Sequence, residues 1–218
     1  MNNDNTGRRY IVIEGPIGVG KTSLARRLAE TFGSELLLED PGSNPFLERF
    51  YQNPRQGALP TQLFFLFQRA QQMQDLRQAD MFNPVWVADF LLEKDRLFAE
   101  LTLDADELHL YQQVWDKLAI DAPRPDLVIY LQAPVDVLRQ RIARRGIGHE
   151  QLMDSNYLRR LADAYMRFFY DYTEAPLLIV NAADIDLVSG EDEYELLLQQ
   201  IRNVKSGRHY FNPMPIAL

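Results

Sequence analysis

The chain has 218 residues, 23 Lys and Arg against 31 Asp and Glu for a net charge of −8, and no cysteine, with 46% hydrophobic and 25% charged residues. That is material for one large α/β domain, or at most two small ones, with a substantial core, and it excludes disulfides, thiolate metal sites and cysteine nucleophiles. The acidic balance speaks against a broad nucleic-acid surface, which needs clustered Lys and Arg, but leaves room for a small phosphate pocket built from backbone amides and a few cations.

Residues 1–8 read as a short disordered lead without the apolar core of a signal peptide. No apolar run reaches the roughly 18 residues that span a bilayer, so a cytoplasmic protein with no membrane partner is expected. Residues 9–218 read as a single domain. Arg9 to Glu14 (RYIVIE) is rich in β-branched residues and predicts a buried parallel strand. In Thr22 to Phe32, Leu24, Leu28 and Phe32 stand four apart, which predicts an amphipathic helix ended by Gly33. A second strand is expected at Glu35–Leu38, a short aromatic helix at Asn44–Asn53, and a loop at Gln56–Thr61 (QGALPT).

Gln62 to Ala79 has neither Gly nor Pro and predicts a helix; Pro84 to Asp89 predicts a third strand. Helices are expected at Phe90–Leu101, the first turn broken, and at Asp106–Ile120. Asp126–Leu131 and Leu177–Val180 read as strands, and Val135–Arg145, Asp154–Tyr172 and Glu191–Ile201 as helices. The aromatic tail RHYFNPMPIAL receives no assignment beyond packing onto the domain or a partner. Short strands alternating with long helices predict a three-layer α/β fold of the P-loop NTPase type, its parallel sheet of about five strands covered by helices on both faces.

Gly15-Pro16-Ile17-Gly18-Val19-Gly20-Lys21-Thr22 matches G-x-x-x-x-G-K-[ST] at every fixed position, between a predicted strand and a predicted helix. Glycines let successive backbone N–H groups point inward at phosphate oxygens. Lys21 would reach the terminal phosphates, Thr22 would offer its hydroxyl to Mg²⁺, and the helix N-terminus would add its positive dipole end. This points to ATP with Mg²⁺ as the bound pair.

A guanine-specific switch protein would carry N-K-x-D after a late strand; the nearest segment, Asn181-Ala182-Ala183-Asp184, lacks the Lys. A phosphotransferase needs an acceptor pocket, a group to take the acceptor proton, and positive charge over the transferring phosphoryl. Glu39 follows the second strand, at the carboxyl edge where ligands bind. Arg139, Arg141, Arg144 and Arg145 crowd one helix, and Arg141 and Arg145 share a face. His109, His149 and His209 are scattered, without the spacing of a zinc site.

With these pieces in place the chain resembles the deoxynucleoside kinase family from Tyr10 to about Ile201. The likeness rests on GPIGVGKT, Glu39 with Asn44-Pro45-Phe46-Leu47 and Phe50-Tyr51, Gln62 with Arg69 seven residues on, Asp89 with Asp95 and Phe98-Ala99, and the arginine helix before Gly146. The resemblance implies ATP-dependent phosphorylation of a deoxynucleoside 5′-hydroxyl in nucleotide salvage, a purine being preferred, by a homodimer packed through helices.

Carried onto this sequence, the family pattern makes Glu39 the general base. Gln62, Arg69 and Asp95 would read the nucleobase, Tyr51 and Glu150 would hold the sugar 3′-hydroxyl, Arg141 and Arg145 would belong to a lid over the phosphates, and Asp89 would partner Mg²⁺. Three positions depart from the pattern. Glu39-Asp40-Pro41 stands where Glu-Pro-Val is usual, which leaves Asp40 as an alternative base. Phe90 takes the place of an arginine, for which Lys94, Arg96 or a lid arginine could substitute. Ile147 stands where a further lid arginine is common. A nucleoside monophosphate kinase and a nucleotide-binding regulator with little turnover are the competing readings.

Overall fold

The computed structural model describes residues 10–79, 86–118, 120–183 and 190–213. The expected lead at 1–8 lies outside the described residues, as do Arg9, Pro84, Val85, Asp184 and the last five residues of the tail. Strand β1 (Tyr10–Glu14) is buried along its whole length, as a two-sided apolar strand must be. It pairs in parallel with β3 (Trp86–Ala88) on one side and β4 (Leu127–Gln132) on the other. Outward from these lie β2 (Glu35–Leu37) beside β3, then β5 (Leu177–Asn181) and β6 (Arg208–Phe211) beyond β4. The order is β2-β3-β1-β4-β5-β6, all parallel.

The sheet thus has six strands among the described residues, against an expectation of about five. The addition, β6, falls in the aromatic tail. It pairs on one side only and buries only Phe211 well, while His209 and Tyr210 are exposed. An edge strand of this kind has no apolar run for a sequence reading to detect.

On one face of the sheet α1 (Lys21–Phe32), α6 (Val135–Arg145) and α8 (Glu191–Asn203) contribute Leu24, Leu28, Leu138, Leu197 and Ile201 to a core with Ile11, Ile13, Ile129 and Leu131. On the other face α3 (Pro54–Ala79), α4 (Lys94–Thr102) and α7 (Ser155–Asp171) bring Met73, Leu97, Tyr165 and Phe169 against Val12, Val128 and Tyr130. The described helices are completed by α2 (Leu47–Gln52) and α5 (Ala105–Leu118), with 3-10 turns at Pro41–Ser43 and Gly148–Leu152.

The expected loop at Gln56–Thr61 is instead helical, inside α3, which runs 26 residues through Pro60. Pro60 has no N–H and forfeits one helix bond, and Gly57 is a poor helix former. Packing overrides both: Leu47 and Phe50 of α2 close a small core with Ala58 and Phe65 of α3. Gly57 is needed there, because a Cβ on it would lie 2.5 Å from the Phe50 Cα. The expected helix at 90–101 starts only at Lys94, since Phe90, Leu91 and Leu92 turn inward and are buried. No described helix is long and apolar enough to cross a membrane.

Candidate active site

The segment between β1 and α1 wraps at the carboxyl edge of the sheet. Gly15 has φ +146°, and a Cβ there would meet the Leu131 carbonyl oxygen at 2.5 Å, so only glycine fits. Lys21 Nζ folds over the loop and donates to the carbonyls of Gly15 at 2.7 Å and Pro16 at 3.3 Å. Burial pushes the Lys21 ammonium below its ordinary pKa, with Glu14 the main opposing influence. Anionic phosphate oxygens would be far better partners for this charge than two neutral carbonyls.

One carboxylate joins the cradle to the residue after β2. Asp89 accepts from the Thr22 hydroxyl through Oδ2 at 2.6 Å and from the Glu39 backbone N–H through Oδ1 at 2.8 Å. Thr22 and Asp89 therefore present a hydroxyl and a carboxylate oxygen side by side. Hard oxygen donors of this number suit Mg²⁺, which takes one or two protein ligands and completes its shell with phosphate oxygens and water. No group of three or more His, Cys, Asp or Glu suited to a metal exists among the described residues.

Beside the cradle a cavity opens between α2, α3, α4 and α7. Glu39, Tyr51, Gln62, Arg69, Lys94 and Glu150 supply its polar lining, Lys21 and Ile17 border it from the cradle, and Phe50, Phe65, Phe98 and Tyr157 wall it. Gln62 and Arg69 stand two helical turns apart on one face of α3 and are both buried. Asp95 lies beneath, fully buried. The Arg69 guanidinium donates to Asp95 from one terminal nitrogen and to Glu39 from the other. Lys94 Nζ lies 3.0 Å from Glu39 Oε2 and 3.4 Å from Glu14 Oε1, with its side chain 3% exposed.

These contacts set the charges. Burial alone would raise Glu39, but the Arg69 and Lys94 charges outweigh it and hold the carboxyl at about 2. For Asp95 burial wins over the Arg69 charge, and its pKa is raised to about 6. Burial works against the Lys94 and Arg69 cations as well, and the carboxylates facing them keep both protonated.

The sequence expectations for the site meet here. Glu39 faces the cavity, whereas Asp40 is exposed at the turn before Pro41. Tyr51 lines the cavity and stacks on His149 with ring centroids 5.8 Å apart and 11° between planes. Glu150 is buried and accepts from Arg145. Arg141 spans from the cradle to the loop after β5, donating to Val19 O at 3.2 Å and Ala182 O at 2.7 Å. Arg139 and Arg144 lie on the exposed side of α6, and so does Arg96 on α4.

Phe90, at the position of the expected arginine, is fully buried in the core. Glu14 was not singled out by the sequence. Its signal, an acidic residue closing an apolar strand directly before the cradle, was available. Tyr157 and Phe65 read only as helix-face aromatics and were missed.

A family model described as deoxynucleoside kinase matches residues 11–205. The chain is 32% identical over 203 residues to a deoxyguanosine kinase of Bacillus subtilis (strain 168), covering 89% of this chain and 97% of that one. It is 28% identical over 207 residues to a deoxyadenosine kinase of Lactobacillus acidophilus, covering 88% and 94%. Among solved structures, a deoxyadenosine kinase from M. mycoides with the products dCMP and dCDP superposes with a TM-score of 0.78 at 23% identity, over 89% of this chain and 100% of that one. The same kinase with bound dATP gives 0.76 at 24% identity, with the same coverage. At such identities the structural likeness speaks to the fold.

Proposed function

The chain belongs to the deoxynucleoside kinase family, and from that premise we propose that it transfers the γ-phosphoryl of ATP to the 5′-hydroxyl of a deoxynucleoside, a purine deoxynucleoside in preference, within nucleotide salvage. The observation that carries this reading is the Thr22–Asp89–Glu39 link, which fixes the residue facing the acceptor cavity against the second residue of the cradle helix. Donor and acceptor sites are thereby held in one frame, and phosphoryl transfer depends mostly on such positioning and on charge stabilisation.

In this reaction Lys21 and the cradle amides bind the β- and γ-phosphates. Mg²⁺, held through Thr22 and Asp89, would neutralise phosphate charge. The acceptor enters between Tyr51, Gln62, Arg69 and Glu150; its nucleobase meets Gln62 and Arg69, the latter braced by Asp95, and its 3′-hydroxyl meets Tyr51 and Glu150. As the acceptor displaces Arg69 from Glu39, that carboxylate accepts the 5′-hydroxyl proton while the oxygen attacks phosphorus. Arg141 and Arg145, on the helix that leads into the Gly148–Leu152 turn, bring mobile charge over the phosphates, and closure excludes water from the donor.

An uncharged acceptor is favoured over a nucleoside monophosphate because neither Arg49 nor Arg55 lines the cavity. Purine preference draws on the deoxyguanosine and deoxyadenosine kinases among the relatives. The working unit is a single domain over residues 9–218, cytoplasmic, and a homodimer joined through the outer faces of α3 and α5, where Phe67 and Leu110 are 52% and 46% exposed.

The test is ATP consumption with Mg²⁺ in the presence of deoxyadenosine, deoxyguanosine, deoxycytidine, thymidine or thymidine monophosphate, with Lys21→Ala and Glu39→Gln as controls. Stimulation by a deoxynucleoside, lost by about a hundredfold in both variants, supports the reading. Stimulation by thymidine monophosphate alone overturns the acceptor assignment. ATP binding without any acceptor-dependent turnover leaves a nucleotide-binding regulator.

A further inference from the structure

Phosphoryl transfer is favoured by positive charge placed around the moving group. On the donor side the cradle supplies Lys21. On the acceptor side α4 begins at Lys94, whose buried ammonium lines the acceptor cavity and lies 3.0 Å from the Glu39 carboxylate. Its second carboxylate neighbour is Glu14 at 3.4 Å. Glu14 is itself fully buried and is locked to the cradle: one of its oxygens accepts from Gly15 N–H at 2.7 Å, the other from Leu91 N–H at 3.2 Å. The Phe90 ring centroid lies 5.9 Å from the ammonium. Lys94 is thus tied by one carboxylate to the loop that holds the donor and by the other to the proposed base.

Burying an ion pair costs desolvation that its mutual attraction often only partly offsets. A Lys–Glu pair beneath a phosphate loop, reaching into an acceptor cavity, has a use. Resting on the phosphotransferase reading above, we propose that Lys94 is a catalytic cation, held in place by Glu14, which contacts the transferring phosphoryl at the point where the acceptor oxygen attacks. The bond from phosphorus to the acceptor 5′-oxygen forms as the bond to the ADP oxygen breaks. The hydroxyl proton passes to Glu39, and Lys94 stays protonated throughout. As the acceptor hydroxyl takes its place against Glu39, the Lys94 ammonium turns from that carboxylate to the incoming phosphoryl oxygen while keeping its ion pair with Glu14.

The experiment compares wild type with Lys94→Met, Lys94→Arg and the double variant Glu14→Gln/Lys94→Met, which removes the buried pair together. Measured are kcat, the KM of ATP and of the best acceptor, the thermal midpoint, and the affinity for ADP plus acceptor with and without aluminium fluoride, a mimic of the transferring phosphoryl. The expected result is a kcat lowered by about 10²–10³-fold in Lys94→Met, KM values within about threefold, and partial recovery in Lys94→Arg. The fluoride-dependent gain in ADP affinity should vanish in Lys94→Met while ADP affinity alone is kept. If Lys94→Met does not fold, the double variant is read in its place. A folded variant with wild-type kcat and an intact fluoride effect overturns the proposal while leaving the kinase reading untouched. Wild-type protein without acceptor-dependent turnover overturns the kinase reading, and this assignment with it.

Discussion

Arg69 closes on Glu39 in the cavity beside the cradle, so the group proposed to take the acceptor proton is held by the group proposed to read the nucleobase. The same guanidinium also neutralises Asp95. Removing it leaves the buried Asp95 without its cation and Glu39 with Lys94 alone, a change that costs roughly 3–5 kcal/mol. Arg69→Met is therefore expected to lower the urea midpoint strongly and to raise the acceptor KM, with ATP affinity in the surviving folded protein unchanged. Urea titrations and ATP binding measured on the same preparation check this.

The pH dependence of stability follows from the same contact. Glu39 is held at about 2 in the folded chain against an ordinary 4.5. A depressed carboxyl stabilises the fold above its unfolded pKa, and that contribution is lost as pH falls through the window between the two values. Between pH 5 and pH 3 wild type should lose roughly 2 kcal/mol more than Glu39→Gln. Asp95, raised to about 6, acts with the opposite sign, costing stability as pH rises from about 4 to 6. Glu39 is itself one of the charges that raise Asp95, so the difference between the two urea curves reports Glu39 together with its coupling to Asp95.

Gly57→Ala tests the α2–α3 contact. In an open helix this change would stabilise by up to about 1 kcal/mol. Here the added Cβ would meet Phe50 Cα at 2.5 Å and Phe50 N at 2.6 Å, backbone atoms that cannot swing aside. A loss of about 1–3 kcal/mol is expected, and because Tyr51 follows Phe50, the acceptor KM should rise more than the ATP KM. A stabilised variant with unchanged kinetics would refute the packing argument.

The proposed dimer face is tested at Phe67, which is 52% exposed on α3. Phe67→Glu should convert a dimer in sedimentation to a monomer while leaving ATP affinity within about twofold. A mass that does not change places the interface elsewhere.

Much of this site was legible because its parts are local. The cradle is eight consecutive residues, Glu39 follows a strand end, and Gln62 and Arg69 share a face by helical spacing alone. What stayed hidden depends on distant partners. Lys94 acquires its meaning from Glu14 and Glu39, which lie on other elements, and sequence could offer it only beside Arg96 and the lid arginines. The helix through Gly57 and Pro60 went unread because local propensity argued against it and only the contact with Phe50 decides it. Strand β6 went unread for a similar reason: its pairing with β5, not its composition, makes it a strand.

The all-parallel sheet also governs how the chain reaches its working form. Central β1 pairs with residues 86–88 and 127–130, so its partners lie far from it along the chain. Each pairing must close a long loop before it returns any favourable contact, which makes such topologies slow to fold. The site inherits that delay, since its groups run from Gly15 to Glu150 and no single stretch carries both donor and acceptor halves. Refolding followed by tryptophan emission and by regain of nucleotide binding should therefore show binding among the last properties to return.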